Sequence, residues 1–287
     1  FNFHELTFAL FKITYLYSPP IIFASTLDAQ QLVILHTNDT HSQIESFRTG
    51  RNKDLAGVER RLQLFNQEVE KYGKKNVLIL DAGDYNQGTP YFTVGKGDLE
   101  VDLMNIMGYD AVALGNHEFD NGQEELARRL KSAKYKSLCA NYDFTGTPLE
   151  GLIEPYTIIK KAGVKIGIIG VTTNLKSVVS AAAVRNLERL NTIEVVNKLA
   201  EELKVEKGCD LVILLSHLGY SDRESSLENP SDNTVAANSR HIDYIVGGHS
   251  HTFLKEVVEV ENLDGKMVPI VQTGAHGIYV GKFVIEF

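Results

Sequence analysis

The chain has 287 residues, with 29 basic against 37 acidic side chains and a formal net charge of −8. Hydrophobic residues make up 43% and charged residues 23%, a mixture that fits a globular enzyme and excludes a disordered or fibrous chain. The acidic balance excludes a general binder of nucleic-acid polymers, which needs a basic face, but bound cations can reverse a local field, so a small phosphorylated substrate stays open.

Residues 1–30, FNFHELTFALFKITYLYSPPIIFASTLDAQ, stand apart from the rest of the chain. Lys12, Pro19 and Pro20 interrupt their apolar character too often for a spanning helix. The small residues Ala24, Ser25 and Ala29 fit the end of a secretory signal peptide, the alternative being an irregular N-terminal arm. Export to the periplasm or the extracellular space, with no stable membrane span, is the resulting expectation. Cys139 and Cys209 each abut an apolar run and read as small buried hydrophobes rather than a disulfide.

From Gln31 onward one theme recurs: a short Val/Ile/Leu run ending in polar, ligand-type residues. LVILH (32–36), NVLILD (76–81), AVALG (111–115), KIGIIGV (165–171), DLVILLS (210–216) and YIVGG (244–248) are continuous rather than alternating. That pattern predicts strands buried on both faces by covering layers. Between them, DLAGVERRLQLFNQEVEKYG places Leu55, Val58, Leu62, Phe65, Val69 and Tyr72 at helical spacing, with Gly73 as the stop. DLEVDLMNIMG, NGQEELARRLKSAK and SDNTVAANSR read as shorter helices, and NTIEVVNKLAEELKVEKG as a helix capped by Asn191 or Thr192 and ended by Gly208. YTIIKKAGVKIGIIGV and MVPIVQTGAHGIYVGKFVIEF have no helix between their strands and read as hairpins or meanders. The expected fold is layered α/β with mixed sheets, as one domain over residues 31–287.

Five polar clusters come directly after the strands, where layered α/β folds place their sites. They are Asp39-Thr40-His41, Gly83-Asp84, the run from Gly115 and Asn116 through His117 and Glu118 to Asp120, Ser216-His217, and Gly248-His249-Ser250-His251. Carboxylate, imidazole and amide donors without a thiolate suit borderline or harder divalent cations: zinc or manganese first, with iron, cobalt or magnesium as further options. The donors are too many for one ion, and Asp84 can give one oxygen to each of two. In Asp39-x-His41, two side chains on one face of an extended segment could reach the same ion. Glu118 reads as a structural support, and His36 and His241 as structural residues. His276, at the end of another strand-like run, stays outside the candidate set. Asn38-Asp39-Thr40 matches a glycosylation sequon, but a glycan beside a metal ligand is implausible.

LHTNDTHSQ, DAGDYNQGTP, ALGNHEFDNG, LSHLG and GGHSHT, in this order and spacing, resemble the successive motifs of the calcineurin-like metallophosphoesterase superfamily, and within it the 5′-nucleotidase family. The resemblance runs from about Leu32 to Phe287. It implies two mixed β-sheets packed together with flanking helices. It implies that Asp39, His41, Asp84 and His251 hold one metal and that Asp84, Asn116, His217 and His249 hold the other. Some members carry Gln at the position of His251. His117 and Asp120 are the implied catalytic pair, and their spacing of three agrees, since residues three apart on a helical turn are neighbours. The implied reaction is attack on phosphorus by a metal-bound hydroxide, with nucleoside 5′-monophosphates as substrates. Hydrolysis of 2′,3′-cyclic nucleotides, nucleotide sugars or pyrophosphates is the enzymatic alternative, and a subunit inactive without a separate C-terminal domain is another. Full-length members of the family continue into a second domain that supplies substrate-binding arginines and stacking aromatics, and the sequence here stops at KFVIEF.

Overall fold

The computed structural model describes residues 12–14, 31–50, 52–221 and 225–287. The leader expected at residues 1–30 lies outside the described residues, apart from the backbone of residues 12–14.

Each continuous apolar run forms a strand. Twelve strands build two six-stranded sheets: β1 (Lys12–Thr14), β2 (Gln31–Thr37), β3 (Val77–Asp81), β4 (Ala111–Ala113), β5 (Lys136–Leu138), β6 (Tyr156–Lys161), β7 (Val164–Thr172), β8 (Leu211–His217), β9 (Tyr244–Gly247), β10 (Val258–Glu261), β11 (Met267–Val271) and β12 (Gly281–Glu286). The first sheet has the order β1-β12-β2-β3-β4-β5 and the second β10-β11-β9-β8-β7-β6. Both are mixed, as expected: β2, β3, β4 and β5 run parallel, and β12 is antiparallel to β2. In the second sheet β7, β8, β9 and β11 run parallel, flanked by antiparallel β6 and β10.

Alternate residues of each strand face different partners, as the pleat requires. Leu32, Ile34, Leu78 and Leu80 of the first sheet pack against Ile166, Ile168, Ile213 and Leu215 of the second, forming a fully apolar layer between the sheets. Val33, Leu35 and Ile79 face outward onto Val58 and Phe65 of the helix Val58–Tyr72 and onto Val101 and Met104 of the helix Asp98–Met107. On the far side Val212 and Leu214 meet Val196, Ala200 and Val235 of the helices Thr192–Glu201 and Asp232–Ala237. The result is helix, sheet, sheet, helix. Gly170 permits one close approach of the sheets, since a Cβ there would lie 2.5 Å from the Leu138 carbonyl oxygen. Both cysteines are buried and unpaired with each other. No helix among the described residues is long and apolar enough to cross a membrane.

Asn191 is the cap of its helix, accepting hydrogen bonds from the amides of Ile193 and Glu194. Three details differ from the sequence reading. Residues 267–287 are not a hairpin: β11 and β12 belong to different sheets, and β12 finds its antiparallel partner in β2. The segment DLAG does not open the first helix, because Asn52–Leu55 pairs with Phe47–Thr49 and the helix begins only after Gly57. Finally, the helix Thr192–Glu201 relaxes into a π-turn at Glu202–Glu206 before Gly208.

Candidate metal centre

The five polar clusters leave the carboxyl ends of β2, β3, β4, β8 and β9, so both sheets deliver their polar ends to one place. Asp39, His41 and His251 bring ligand atoms within 4.8 Å of one another, and so do Asp84, His217 and His249. A third group, His41, Asp84 and His117, joins the two. The Nε2 atoms of His41 and His251 stand 2.8 Å apart, and His251 Nε2 lies 3.4 Å from Asp39 Oδ1. His217 Nε2 lies 3.0 Å from Asp84 Oδ2 and 4.0 Å from Asp39 Oδ1. Asp84 and Asp39 thus stand between the two triads. Asn116 adds a buried Oδ1 with no hydrogen-bond partner among the described residues, and His217 Nε2 likewise has no well-oriented one. Orphaned buried donors and acceptors are costly unless something else satisfies them. Divalent cations fit this set: neutral imidazole nitrogens, carboxylate oxygens and an amide oxygen, all converging.

Surrounding groups aim the ligands. His217 Nδ1 donates to the Ala82 carbonyl at 2.7 Å, leaving Nε2 pointed into the centre. His41 Nδ1 faces the Asn86 carbonyl at 3.3 Å and does the same for its Nε2. Asn38 donates to Asp39 Oδ2 at 2.6 Å and to the Gly274 carbonyl, while its own oxygen accepts from the amide and hydroxyl of Thr273. With its amide so engaged and 1% exposed, Asn38 cannot carry a glycan. The fully buried Glu118 carboxylate accepts from the amides of Asp84, Asn86 and Gly115, tying the loop after β3 to the loop after β4.

Backbone conformation is part of the geometry. Asp39, His41, Asp84, His249 and His251 all have positive φ, between 48° and 74°. Non-glycine residues rarely adopt that region, and such strain concentrates at functional sites. Asp39 and His41 therefore converge through left-handed turns, not from the extended segment the sequence suggested. The loops also pass very close together: a Cβ on Gly115 would overlap the Asp84 carboxylate, and one on Gly83 would sit 2.6 Å from the Gly115 amide nitrogen.

Burial and charge oppose each other here. Burial works against ionisation of Asp84 and of His217, yet their mutual attraction outweighs it. Asp84 is held well below the ordinary carboxylate range and His217 is raised to about 10. The carboxylates thus draw positive charge, as a proton on His217 or as a cation, into the space between Asp84 and His217. His249 is lowered to about 4 by burial and by the nearby His217, and His41 is lowered chiefly by burial. Both are in the neutral form a metal ligand needs.

His117 lies at the rim, on the turn His117–Phe119, with its ring centroid 5.4 Å from that of His41. Its Nδ1 is 2.8 Å from Asp120 Oδ2, and its amide donates to Asp84 Oδ1. Burial opposes its charge, but the hydrogen bond to Asp120 and the field of Asp84 raise its pKa. Its Nε2 is left to meet a ligand. Asp120 serves His117 and does not cap the helix Gly122–Leu130, whose N-cap position is Asn121.

All nine sequence candidates, Asp39, His41, Asp84, Asn116, His117, Asp120, His217, His249 and His251, thus gather at the same ends of the two sheets. Sequence reasoning missed Asn38 and Gln272 as supports. Gln272 donates to the Gly248 carbonyl and accepts from the Ser250 hydroxyl and the Thr252 amide, bracing the loop of His249 and His251. Neither had a local signal. His276 is exposed, 5.6 Å from His41 and 6.2 Å from His251 between ring centroids, and lines the mouth without joining a ligand group.

The sequence matches the model of the calcineurin-like phosphoesterase family over residues 32–253. It is 36% identical over 284 aligned positions to the 5′-nucleotidase of Rattus norvegicus, covering 91% of this chain and 47% of that protein. Among solved structures, a 5′-nucleotidase precursor from Thermus thermophilus superposes with a TM-score of 0.78 at 36% identity, covering 87% of this chain and 50% of that one. The Haemophilus influenzae NAD nucleotidase superposes with a TM-score of 0.77 at 32% identity, over 90% and 48% of the two chains. The chain spans about half the length of the curated relatives it matches. A family match over most of the folded residues, on the fold and residues just described, means that this chain belongs to the calcineurin-like phosphoesterase family.

Proposed function

We propose that this chain hydrolyses phosphate monoesters, with nucleoside 5′-monophosphates as the leading substrate class. The observation that carries the reading is the meeting of two ligand triads around Asp84 with the His117–Asp120 pair beside them. Asp39, His41, Asp84 and His251 would hold one divalent ion, and Asp84, Asn116, His217 and His249 the other, with zinc or manganese the best match to these donors. Two such ions, when bound, lower the pKa of water and offset the charge that builds on a phosphoryl group.

The protein's own groups supply position and a proton. His117, kept cationic by Asp120, stands where its Nε2 can donate to a phosphoryl oxygen or to the departing alkoxide, so charge developing there meets a fixed donor. Glu118 and Asn38 hold the ligand loops in place before substrate arrives, and preorganisation of this kind supplies much of the catalysis in such sites. The likeness to a NAD nucleotidase favours a second reading, hydrolysis of a nucleotide anhydride at the same centre; 2′,3′-cyclic nucleotides are a third substrate class.

Recognition of the base and ribose is assigned to a C-terminal domain, in the same or a separate chain, since the relatives are about twice as long. The aromatic and aliphatic leader-like residues 1–30, and a relative described as a precursor, support export to the periplasm or the extracellular space. Purified protein loaded with manganese or zinc should release phosphate from a nucleoside monophosphate faster than it cleaves bis(p-nitrophenyl) phosphate or NAD. The same panel with an added C-terminal domain tests substrate choice. No turnover of any of the three with either metal overturns the reading.

A further inference from the structure

Ser216 belongs to one of the five polar clusters yet stands in neither ligand triad. It lies on β8 directly before His217, and the pairing of β8 with β9 sets it opposite Gly247, two residues before His249. One side chain meets both strand ends. Asp232, the first residue of the helix Asp232–Ala237, accepts from the Ser216 hydroxyl at 2.5 Å through Oδ1. Its Oδ2 lies against Gly247, which leaves room for it by lacking a side chain: a Cβ there would come within 2.3 Å of that oxygen. The same helix start holds the segment after His217, since the amides of Asp232 and Asn233 donate to the carbonyls of Gly219 and Tyr220 at 2.8 and 3.2 Å.

Asp232 and Ser216 are fully buried, and Asp232 Oδ2 has no hydrogen-bond partner among the described residues. A buried carboxylate with one oxygen unpaired is a poor stabiliser of a helix packed on a sheet. An apolar pair of similar shape would serve the packing as well, so what Asp232 and Ser216 add is position. We infer, on the two-ion reading proposed for the centre, that Asp232 is a positioning residue for the ion of Asp84, Asn116, His217 and His249, acting through Ser216 and the Gly247 backbone. The ion of Asp39, His41, Asp84 and His251 does not depend on it. The asymmetry follows from the chain: the residues that Asp232 meets precede His217 by one position and His249 by two, whereas Asp39, His41 and Asp84 follow β2 and β3 of the other sheet. His251 lies two residues further along, where Gln272 accepts from the Ser250 hydroxyl and the Thr252 amide. Supports of this kind commonly change metal affinity about 10- to 100-fold.

The test is calorimetric titration of the chelated whole chain with Mn²⁺, in backgrounds that leave one ion each. His251→Ala should leave the ion of His217 and His249, and adding Ser216→Ala should weaken it roughly tenfold or more. His249→Ala should leave the ion of Asp39, His41 and His251, and adding Ser216→Ala should change it by less than about threefold, well below the usual effect of a lost support. Asp232→Ala should repeat this pattern. Asp232→Asn, which keeps an oxygen facing the Ser216 hydroxyl, should restore the affinity of the first ion. The far-ultraviolet spectrum checks that each variant is folded, and Ser216→Ala is the smaller truncation if Asp232→Ala is not. Equal weakening in both backgrounds, no weakening in His251→Ala, or Asp232→Asn as weak as a folded Asp232→Ala would overturn the inference alone. A wild type that takes up a single ion would overturn the two-ion reading and this inference together.

Discussion

Replacing Asp120 with asparagine keeps the shape of the partner of His117 and removes its charge. The contact is 2.8 Å long, and both side chains are 27% exposed. A hydrogen bond between charged groups contributes about 1.5–3 kcal/mol, and partial exposure puts this one near the lower end, roughly 1.5–2 kcal/mol. If the bond matters most when charge develops on the phosphoryl group, kcat falls roughly 10- to 30-fold at about 1.4 kcal/mol per decade. There is a second signature. Burial alone would lower the pKa of His117, and Asp120 is the foremost group that overrides it. In Asp120→Asn the imidazolium therefore gives up its proton at lower pH, and the alkaline limb of the kcat profile moves toward acid. The assay is phosphate release from a nucleoside monophosphate across pH 5 to about 10, spanning the ordinary range of histidine, with metal content measured alongside. Wild-type kcat with an unmoved alkaline limb would refute the role given to the pair, and lost metal would show that Asp120 acts on the ligands instead.

Asn191→Ala removes three hydrogen bonds at a helix start, two accepted from backbone amides and one donated to the exposed Glu194 carboxylate. It should cost about 1 kcal/mol in urea unfolding and leave kcat unchanged. Glu118→Gln puts an amide donor where a carboxylate accepts from three backbone amides, so metal affinity should weaken roughly 10- to 100-fold by calorimetry, with little change in the far-ultraviolet spectrum. His36 should make the fold acid-sensitive. Its folded pKa of about 3 lies below the unfolded value of 6.5, so the unfolded chain takes up the proton first. The contribution is intact above pH 6.5 and fades as pH falls toward 3. Between pH 6.5 and 4.5 the loss is roughly 2 kcal/mol, and it should be absent in His36→Gln.

Much of the fold was legible because its strands carry their burial in composition. LVILH and DLVILLS are rich in Val, Ile and Leu at successive positions, as a strand between two layers must be, and β2 beyond Gln31 and all of β8 are buried. The candidate metal centre was legible for a related reason: a strand end leading into Asp, Asn or His is a poor way to finish a buried element unless those groups have work to do. What escaped was set by tertiary contact. Asn38 meets Thr273 across 235 positions, and nothing local distinguishes it from a turn residue. The pairing of β12 with β2 spans the chain in the same way, which is why VPIVQTGAHGIYVGKFVIEF looked like a hairpin. The left-handed turns at Asp39, His41 and Asp84 were hidden because Asp and His, although enriched among the few non-glycine residues at positive φ, adopt it only in a minority of positions. Only convergence on a shared centre makes them intelligible.

The central claim is a two-ion centre organised by Asp84, and metal stoichiometry tests it most directly. Chelated protein reloaded with Mn²⁺ and freed of excess should carry two equivalents per chain, and Asp84→Asn, which weakens the group common to both sites, should retain fewer than one. A single equivalent in the wild type, or two equivalents retained by Asp84→Asn, would contradict the account.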